Sequence, residues 1–442
     1  MTGKALALVA LSLGVALSSP ALAEPEAAAA KPGAQRATGE IGLASLASDR
    51  YALLTAGTEL AAGPVRAALH VPLRLRITDK APLEAGKTPG LRQEDWDQPG
   101  DWARLLHYGE WRWKNGRLRV GGLAGVTLGH GFLVDRFYNN LDFDRHETGV
   151  RLNHDGDNWG VEAMLQDVVQ PEVMALRGFA RPGPKWTLGA TVAIDAAAPT
   201  AVRASTPAGV ILPGTRLTSE PLTLTGLDAA REVWRDGART AVAYLDFALG
   251  HRPGGAVGGG GQLGLALHLT PSKGVEVDTR LALRLQTPRY APGWFDTAYA
   301  LDRHGRKGLF PKLDRHSLDD KVMAGAGLAV DVRTRQALQL SLALDADQMP
   351  NVPDPRLQAR FWLTVPDLAG LQARAMLAWR NDDPGDVLDG FVLAHAVLRY
   401  TVAEGPFYAA TTAARRWRQR GLDGIYAPET ELTATAGAEV RF

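Results

Sequence analysis

From Val65 to Ile77 the chain alternates with period two: Val65, Ala67, Leu69, Val71, Leu73, Leu75 and Ile77 stand between Arg66, Ala68, His70, Pro72, Arg74 and Arg76. A helix would scatter those arginines around its circumference, whereas a strand sends them all to one side. The segment therefore reads as a strand with one oily and one basic face. The alternation repeats at Trp186 to Ile194, Leu263 to Leu269, Val275 to Leu285, Val322 to Val332, Leu338 to Leu344, Leu357 to Val365 and Leu371 to Trp379. Weaker matches lie at Arg50 to Leu60, Leu105 to Trp113, Leu118 to Leu128, Glu147 to His154, Trp159 to Leu165, Glu172 to Arg181, Arg239 to Leu249, Phe391 to Val402 and Phe407 to Arg418, and Leu432 to Phe442 closes the chain on the same pattern. These make about eighteen strands of roughly nine to thirteen residues, enough for a tilted strand to cross a bilayer. Soluble sandwiches, propellers and β-helices use strands of about five or six residues. The expected fold class is all-β, a transmembrane antiparallel β-barrel of about eighteen strands, within roughly sixteen to twenty.

The N-terminus reads as an export signal. Lys4 precedes an apolar run from Ala5 to Leu17, then Ser18, Ser19, Pro20 and the small-x-small pattern Ala21-Leu22-Ala23. We expect residues 1–23 to be a signal peptide cleaved near Ala23, residues 24–45 a flexible Ala, Pro and Gly-rich lead-in, and residues 46–442 the barrel. Beyond residue 23 no apolar run reaches the about eighteen residues of a spanning helix. The formal charge of +1 and 45% hydrophobic residues suit a barrel that averages a lipid-facing row against a polar one. Absence of Cys excludes a disulfide scaffold and thiolate metal sites. No nucleic-acid partner is expected.

Tight polar connections such as Ala62-Gly63-Pro64, Lys114-Asn115-Gly116 and Ala403-Glu404-Gly405-Pro406 suit an antiparallel meander, with Asn-Gly and Asp-Gly supplying positive φ angles. Long connections near 78–104, 129–146, 195–238 and 286–320 belong outside the cell and short turns in the periplasm. Under that rule the long loops follow odd-numbered strands in the second half but some even-numbered ones in the first. A strand is therefore missing, two are merged, or a long segment is placed on the wrong side, and residues 195–275 are where to look. The Gly-rich stretch Gly254 to Gly264 lacks the Lys-Ser/Thr of a phosphate loop and reads as a pliant connection.

Nothing along the chain forms a catalytic signature, and no enzyme, cofactor or metal is expected. His146-Glu147 lacks a second His at zinc-gripping spacing, and Asp142, Asp144 and Glu147 lack the carbonyls and fixed turn of a calcium loop. The informative constellation is the polar row. If the oily row faces lipid, the lumen receives Arg66, His70, Arg74, Arg76, Arg280, Arg284, Arg356, Arg360, Arg374, Arg380, Arg399 and Arg441, interspersed with Glu162, Asp246, Glu276, Asp278, Asp331, Asp345 and Glu439. An Arg on the lipid row would cost roughly 2 to 4 kcal/mol near the midplane. The expected lumen is wet and moderately cationic, able to offer bidentate donors to carboxylate or phosphate and donors to sugar hydroxyls. The plainer reading of each such residue is that it lines water and cross-braces the wall.

The C-terminal alternation ending on Phe442 resembles the last strand of Gram-negative outer-membrane barrels, which implies recognition by the barrel assembly machinery and residence in the lipid of the cell outer membrane. Gly121 to Pro182 adds a second resemblance. Val126 to Asn140 (VTLGHGFLVDRFYNN), Asp144 to Leu152 (DRHETGVRL) and Trp159 to Ala163 (WGVEA) resemble the strand, looped-in segment and strand of alginate-export-type porins and of exopolysaccharide and capsule secretion barrels. That resemblance implies a gating loop carrying Asp135, Arg136, Tyr138, Asp144 and Arg145. It also implies passage of a polysaccharide chain across the outer membrane. With no helical-repeat domain in this chain, a periplasmic polysaccharide export protein would have to deliver the polymer. A porin for small anionic or carbohydrate solutes would use the same lumen and stays open as the alternative.

Overall fold

A computed structural model describes residues 35–441 apart from 47–48, 79–89, 143, 202–216, 254, 305–311, 314–320, 336–337, 349–354, 382–390, 403–404 and 421–424. The expected signal peptide and Phe442 lie outside the described residues. Twenty strands form one antiparallel wall: β1 (Arg36–Leu46), β2 (Asp49–Ala62), β3 (Val65–Thr78), β4 (Leu106–Trp113), β5 (Gly116–Gly121), β6 (Gly149–Asp155), β7 (Trp159–Leu165), β8 (Val173–Gly183), β9 (Trp186–Ala201), β10 (Leu217–Asp236), β11 (Arg239–Arg252), β12 (Gly255–Ser272), β13 (Val275–Gln286), β14 (Met323–Thr334), β15 (Gln339–Gln348), β16 (Arg356–Leu368), β17 (Leu371–Arg380), β18 (Phe391–Thr401), β19 (Phe407–Arg420) and β20 (Ile425–Arg441). Each pairs with the next, and β20 returns to β1 in register from Arg36↔Arg441 to Leu46↔Glu431. The closed ring leaves no sheet edge, which is what allows a sheet to sit in hydrocarbon.

Two strands account for the difference from the expected count. All of β1 but Leu46 lies inside the segment expected to be a flexible lead-in, whose Gly and Ala residues suit close strand packing as well as they suit a linker. β10 lies inside the supposed 195–238 connection, and restoring both removes the conflict in loop placement. Every connection after an even-numbered strand is now a turn of at most five residues, and every long connection follows an odd-numbered one. Gly254 to Gly264 was also misjudged, because residues from Gly255 onward belong to β12, a full wall strand.

The alternation sorts the faces as physics requires. On β3, Val65, Leu69, Val71, Leu75 and Ile77 are exposed while the Arg66, His70 and Arg74 row is covered. Leu249 at 68% and Leu283 at 66% exposure would be untenable in water as parts of a continuous belt, but are ordinary against lipid. Wall height varies from six residues in β5 to twenty in β10.

Candidate functional site: a plugged lumen with an arginine-lined vestibule

The expectation of a wet lumen holds only in part, because two connections fold into it. The described residues of 122–148, between β5 and β6, turn inward where the wall strands are shortest, and Val126 bridges antiparallel to Phe137. Residues 287–304, after β13, meet them through a two-residue parallel ladder, Val134–Asp135 with Phe295–Asp296. The second segment places Tyr290, Trp294, Phe295, Tyr299 and Leu301 in a connection, far too much apolar surface to leave in water. Together the segments build a plug. Phe132, Leu133, Val134, Phe137, Trp294, Phe295 and Tyr299 pack on Met164, Val173, Ala193, Leu222, Leu224 and Ala248 of one wall. Tyr138, Leu141, Ala298 and Leu301 pack on Met376, Phe391, Leu393, Trp417 and Tyr426 of the opposite wall.

Missing side chains on the wall make room for this plug. A Cβ at Gly226 would stand 2.9 Å from Leu133 Cδ1, and one at Gly260 would stand 3.2 Å from Tyr290 and 3.3 Å from Phe132. That explains why glycines persist in β10 and β12 despite their entropic cost in a strand.

Buried ion pairs fix the plug to the wall. Arg303 forks onto Asp195 of β9, with Nε at 2.6 Å from Oδ2 and Nη2 at 2.8 Å from Oδ1, while Tyr299 Oη donates to Asp195 at 2.7 Å. Arg380 of β17 grips both oxygens of Asp302 at 2.7 and 3.0 Å. Arg360 of β16 bridges Asp135 at 2.6 Å and Asp345 at 2.7 Å. Burial alone would push Asp135 up, yet the Arg360 and Arg136 guanidiniums hold its carboxyl below the usual range. Arg136 has left-handed backbone, φ 52°, secured by its amide donating to Thr127 Oγ1 at 3.0 Å. Its guanidinium lies 4.7 Å from the Trp362 ring centroid, and Trp362 Nε1 donates to Tyr138 Oη at 2.7 Å.

Where the first plug segment rejoins the wall, a polar knot replaces apolar packing. Asn139 and Asn140 side chains donate to the Glu147 carbonyl at 3.2 and 2.8 Å, and Glu147 Oε1 accepts from Gln166 at 2.7 Å. Burial pushes Glu147 up to about 7 and His146 down to about 3.

On the tight-turn side of the plug lies a cavity of about 580 Å³. Arg36, Arg74, Arg117, Arg119, Arg136, Arg151, Arg333, Arg374 and Arg399 line it, with His70, His107 and His395, against the carboxylates Glu40 and Asp331 among the described residues. Carboxylates of the inward row and of the connection after β3 hold several of these arginines: Arg74 bonds Asp95 at 2.9 Å and Glu431 at 3.1 Å, and Arg399 bonds Glu439 at 2.6 Å. Such partners order the guanidiniums and offset part of their charge, and a guanidinium has five N–H donors, more than one carboxylate takes up. A smaller space of about 70 Å³ lies beside the plug, lined by His130, Tyr244, Arg280 and Arg284.

The sequence-selected arginines share the inward row but divide by position. Arg74, His70, Arg374 and Arg399 line the vestibule, and Arg280 lines the small space beside the plug. Arg360 and Arg380 hold the plug, Arg284 braces the wall through Asp345 at 2.7 Å, and Arg76 faces Glu94 at 3.4 Å. Arg66 sits opposite Glu110 in register, and Arg356 contacts Met323 Sδ at 3.7 Å. Among the loop candidates, Asp135, Arg136 and Tyr138 belong to the plug, whereas Asp144 pairs with Arg92 at 2.5 Å and Arg145 with Glu147 at 3.2 Å at its rim. Sequence reading missed Asp195, Tyr299 and Arg303, for which the one available signal was the aromatic density of the 286–320 connection.

No protein-family model matches the chain, and no curated protein matches it in sequence. Solved structures similar to it include OccAB2 of Acinetobacter baumannii, 11% identical over 93% of this chain and 98% of that one with TM-score 0.38. OccK8 (OprE) of Pseudomonas aeruginosa is 10% identical over 93% and 98%, with TM-score 0.36. Wzi of Escherichia coli, an outer-membrane protein involved in group 1 capsule assembly and a carbohydrate-binding β-barrel, is 12% identical over 92% and 84%, with TM-score 0.35. At these values the likeness says nothing about the site.

Proposed function

We propose that this barrel is a gated channel of the Gram-negative outer membrane that exports an anionic polysaccharide, receiving it from a separate periplasmic export protein. The observation behind this reading is the vestibule: most of its arginines, namely Arg117, Arg119, Arg151, Arg333, Arg374 and Arg399, sit within five residues of a tight turn, the side that faces the periplasm in barrels of this kind. Held guanidinium forks suit carboxylate or phosphate groups on a sugar chain, and the plug then acts as the gate that must yield for the polymer to leave. A porin for small anionic or carbohydrate solutes is the second reading, favoured by the dense packing of the plug, which a small solute disturbs less than a polymer does.

Two measurements test the proposal. Purified protein in planar bilayers should conduct with anion preference, and an oligouronate added from the turn side should block the current; cation preference would overturn the reading of the vestibule. A deletion strain should lose a surface polysaccharide while still synthesising it. A strain that keeps all surface glycans but loses uptake of a small anion would replace export with the porin reading.

A further inference from the structure

Three ligand-bearing side chains from separate segments converge where the plug meets the wall. His130 comes from the first plug segment, Asp228 from β10 and Asp246 from β11, and one donor atom of each lies within 4.8 Å of the others. His130 Nδ1 stands 2.8 Å from Asp246 Oδ1. Adjacent donors around a divalent ion with bonds near 2.1 Å are spaced about 3.0 to 3.4 Å apart, so this pair, now at hydrogen-bond distance, has to part by only a few tenths of an ångström.

Each donor is aimed by a further partner. The second oxygen of Asp246 accepts from Gln262 Nε2 at 2.6 Å, the Arg177 fork holds Asp228 at 2.6 and 2.9 Å, and the His130 ring stacks on Tyr244 with centroids 4.2 Å apart. Outer partners of this kind fix the orientation of metal ligands. Charge points the same way: Arg177 also bonds Glu162 at 3.0 Å, so two carboxylates share one guanidinium while Asp246 beside them bonds His130 and Gln262, and a divalent cation offsets the surplus. His130 and Gln262 border the small space beside the plug, which gives an ion a route in. Arg136, Arg280, Arg284 and Arg360 border that space too, against Asp135, Asp296, Asp345 and Asp347, so the space is close to charge-balanced and the negative surplus sits at the ligand cluster.

We propose that His130, Asp228 and Asp246 bind a divalent transition ion of the zinc class and that the ion fastens the plug to the β10–β11 wall. An imidazole nitrogen with two carboxylates suits zinc better than calcium or magnesium, which take oxygen donors alone. Water completes the coordination from the adjoining space. Occupancy favours the closed lumen, because the ligands belong to the plug and to the wall and part company when the plug leaves.

The test uses chelator-stripped full-length protein in detergent, titrated with Zn²⁺ against a chromogenic competitor. Wild type should bind one ion. His130→Gln and Asp246→Asn, both shown folded by heat-modifiable gel migration, should bind at least about tenfold more weakly. His268→Gln, at the exposed His268–Asp278 pair, should bind as wild type does. Hydrogen exchange on the wild-type protein needs no variant: amides of residues 128–137 should slow when Zn²⁺ is added. Binding weaker than about 1 mM, equal affinity in the His130 variant, or unchanged exchange in the plug would each overturn the assignment.

Discussion

Replacing Arg303 with methionine removes the cation from a carboxylate that is wholly buried: Asp195 is 0% exposed and would keep only Tyr299 Oη as a side-chain donor among the bonds described above. Removing one member of a buried pair costs about 3 to 5 kcal/mol, because the remaining charge is left without compensation. Asp195 belongs to the wall and Arg303 to the plug, so the loss falls on plug docking. At about 1.4 kcal/mol per factor of ten, the ratio of open to docked plug should rise at least about a hundredfold. Hydrogen exchange followed residue by residue in micelles reads this directly, since amides protected by local docking report the free energy of that opening. Amides of residues 128–138 and 294–302 should exchange at least about a hundred times faster, while those of β12 to β15 stay as they were. Adding Asp195→Asn should recover part of the loss, because it removes the stranded charge. Unchanged plug exchange, equal loosening of the barrel strands, or a double variant as labile as the single one would each refute the argument.

Glu147 gives the plug a pH dependence of definite sign. The folded carboxyl keeps its proton up to about 7, whereas the free group releases it near 4.5, so plug stability is full below about 4.5 and falls as pH rises toward 7, by about 3 kcal/mol in all. Glu147→Gln should flatten that dependence in plug amide protection corrected for intrinsic exchange. In the vestibule, Arg374→Glu should lower anion preference, measured as a shift of reversal potential toward the cation value in a salt gradient. On the lipid face, Leu283→Arg should cost about 2 to 4 kcal/mol of folding stability in vesicles, while Ala282→Ser on the inward row should cost far less, both read by urea titration of the heat-modifiable band.

Much of the wall was legible because period two is a local property: the arginines of β3 and β13 had to share a face wherever the chain went. β10 escaped because its Thr223, Thr225 and Asp228 blur the contrast between rows. β1 escaped because Gly39, Gly42, Ala37 and Ala44 carry little hydropathy signal. The looped-in character of residues 122–148 was available through resemblance. The second plug segment was not, since nothing local says that Trp294 and Phe295 meet Leu133 and Val134 across a cylinder. Pairing such as Arg303 with Asp195, 108 residues apart, is set by closure of the whole ring and has no trace in spacing along the chain.

The seam between β1 and β20 also constrains how the molecule can be made. Its two halves come from opposite extremes of the described chain, so a growing sheet carries two unsatisfied margins until its last hairpin arrives, and no smaller cylinder forms on the way. A chain cut short before Ile425 would therefore remain an open, sticky ribbon, and the cell would have to shelter that ribbon until the final strand sealed it.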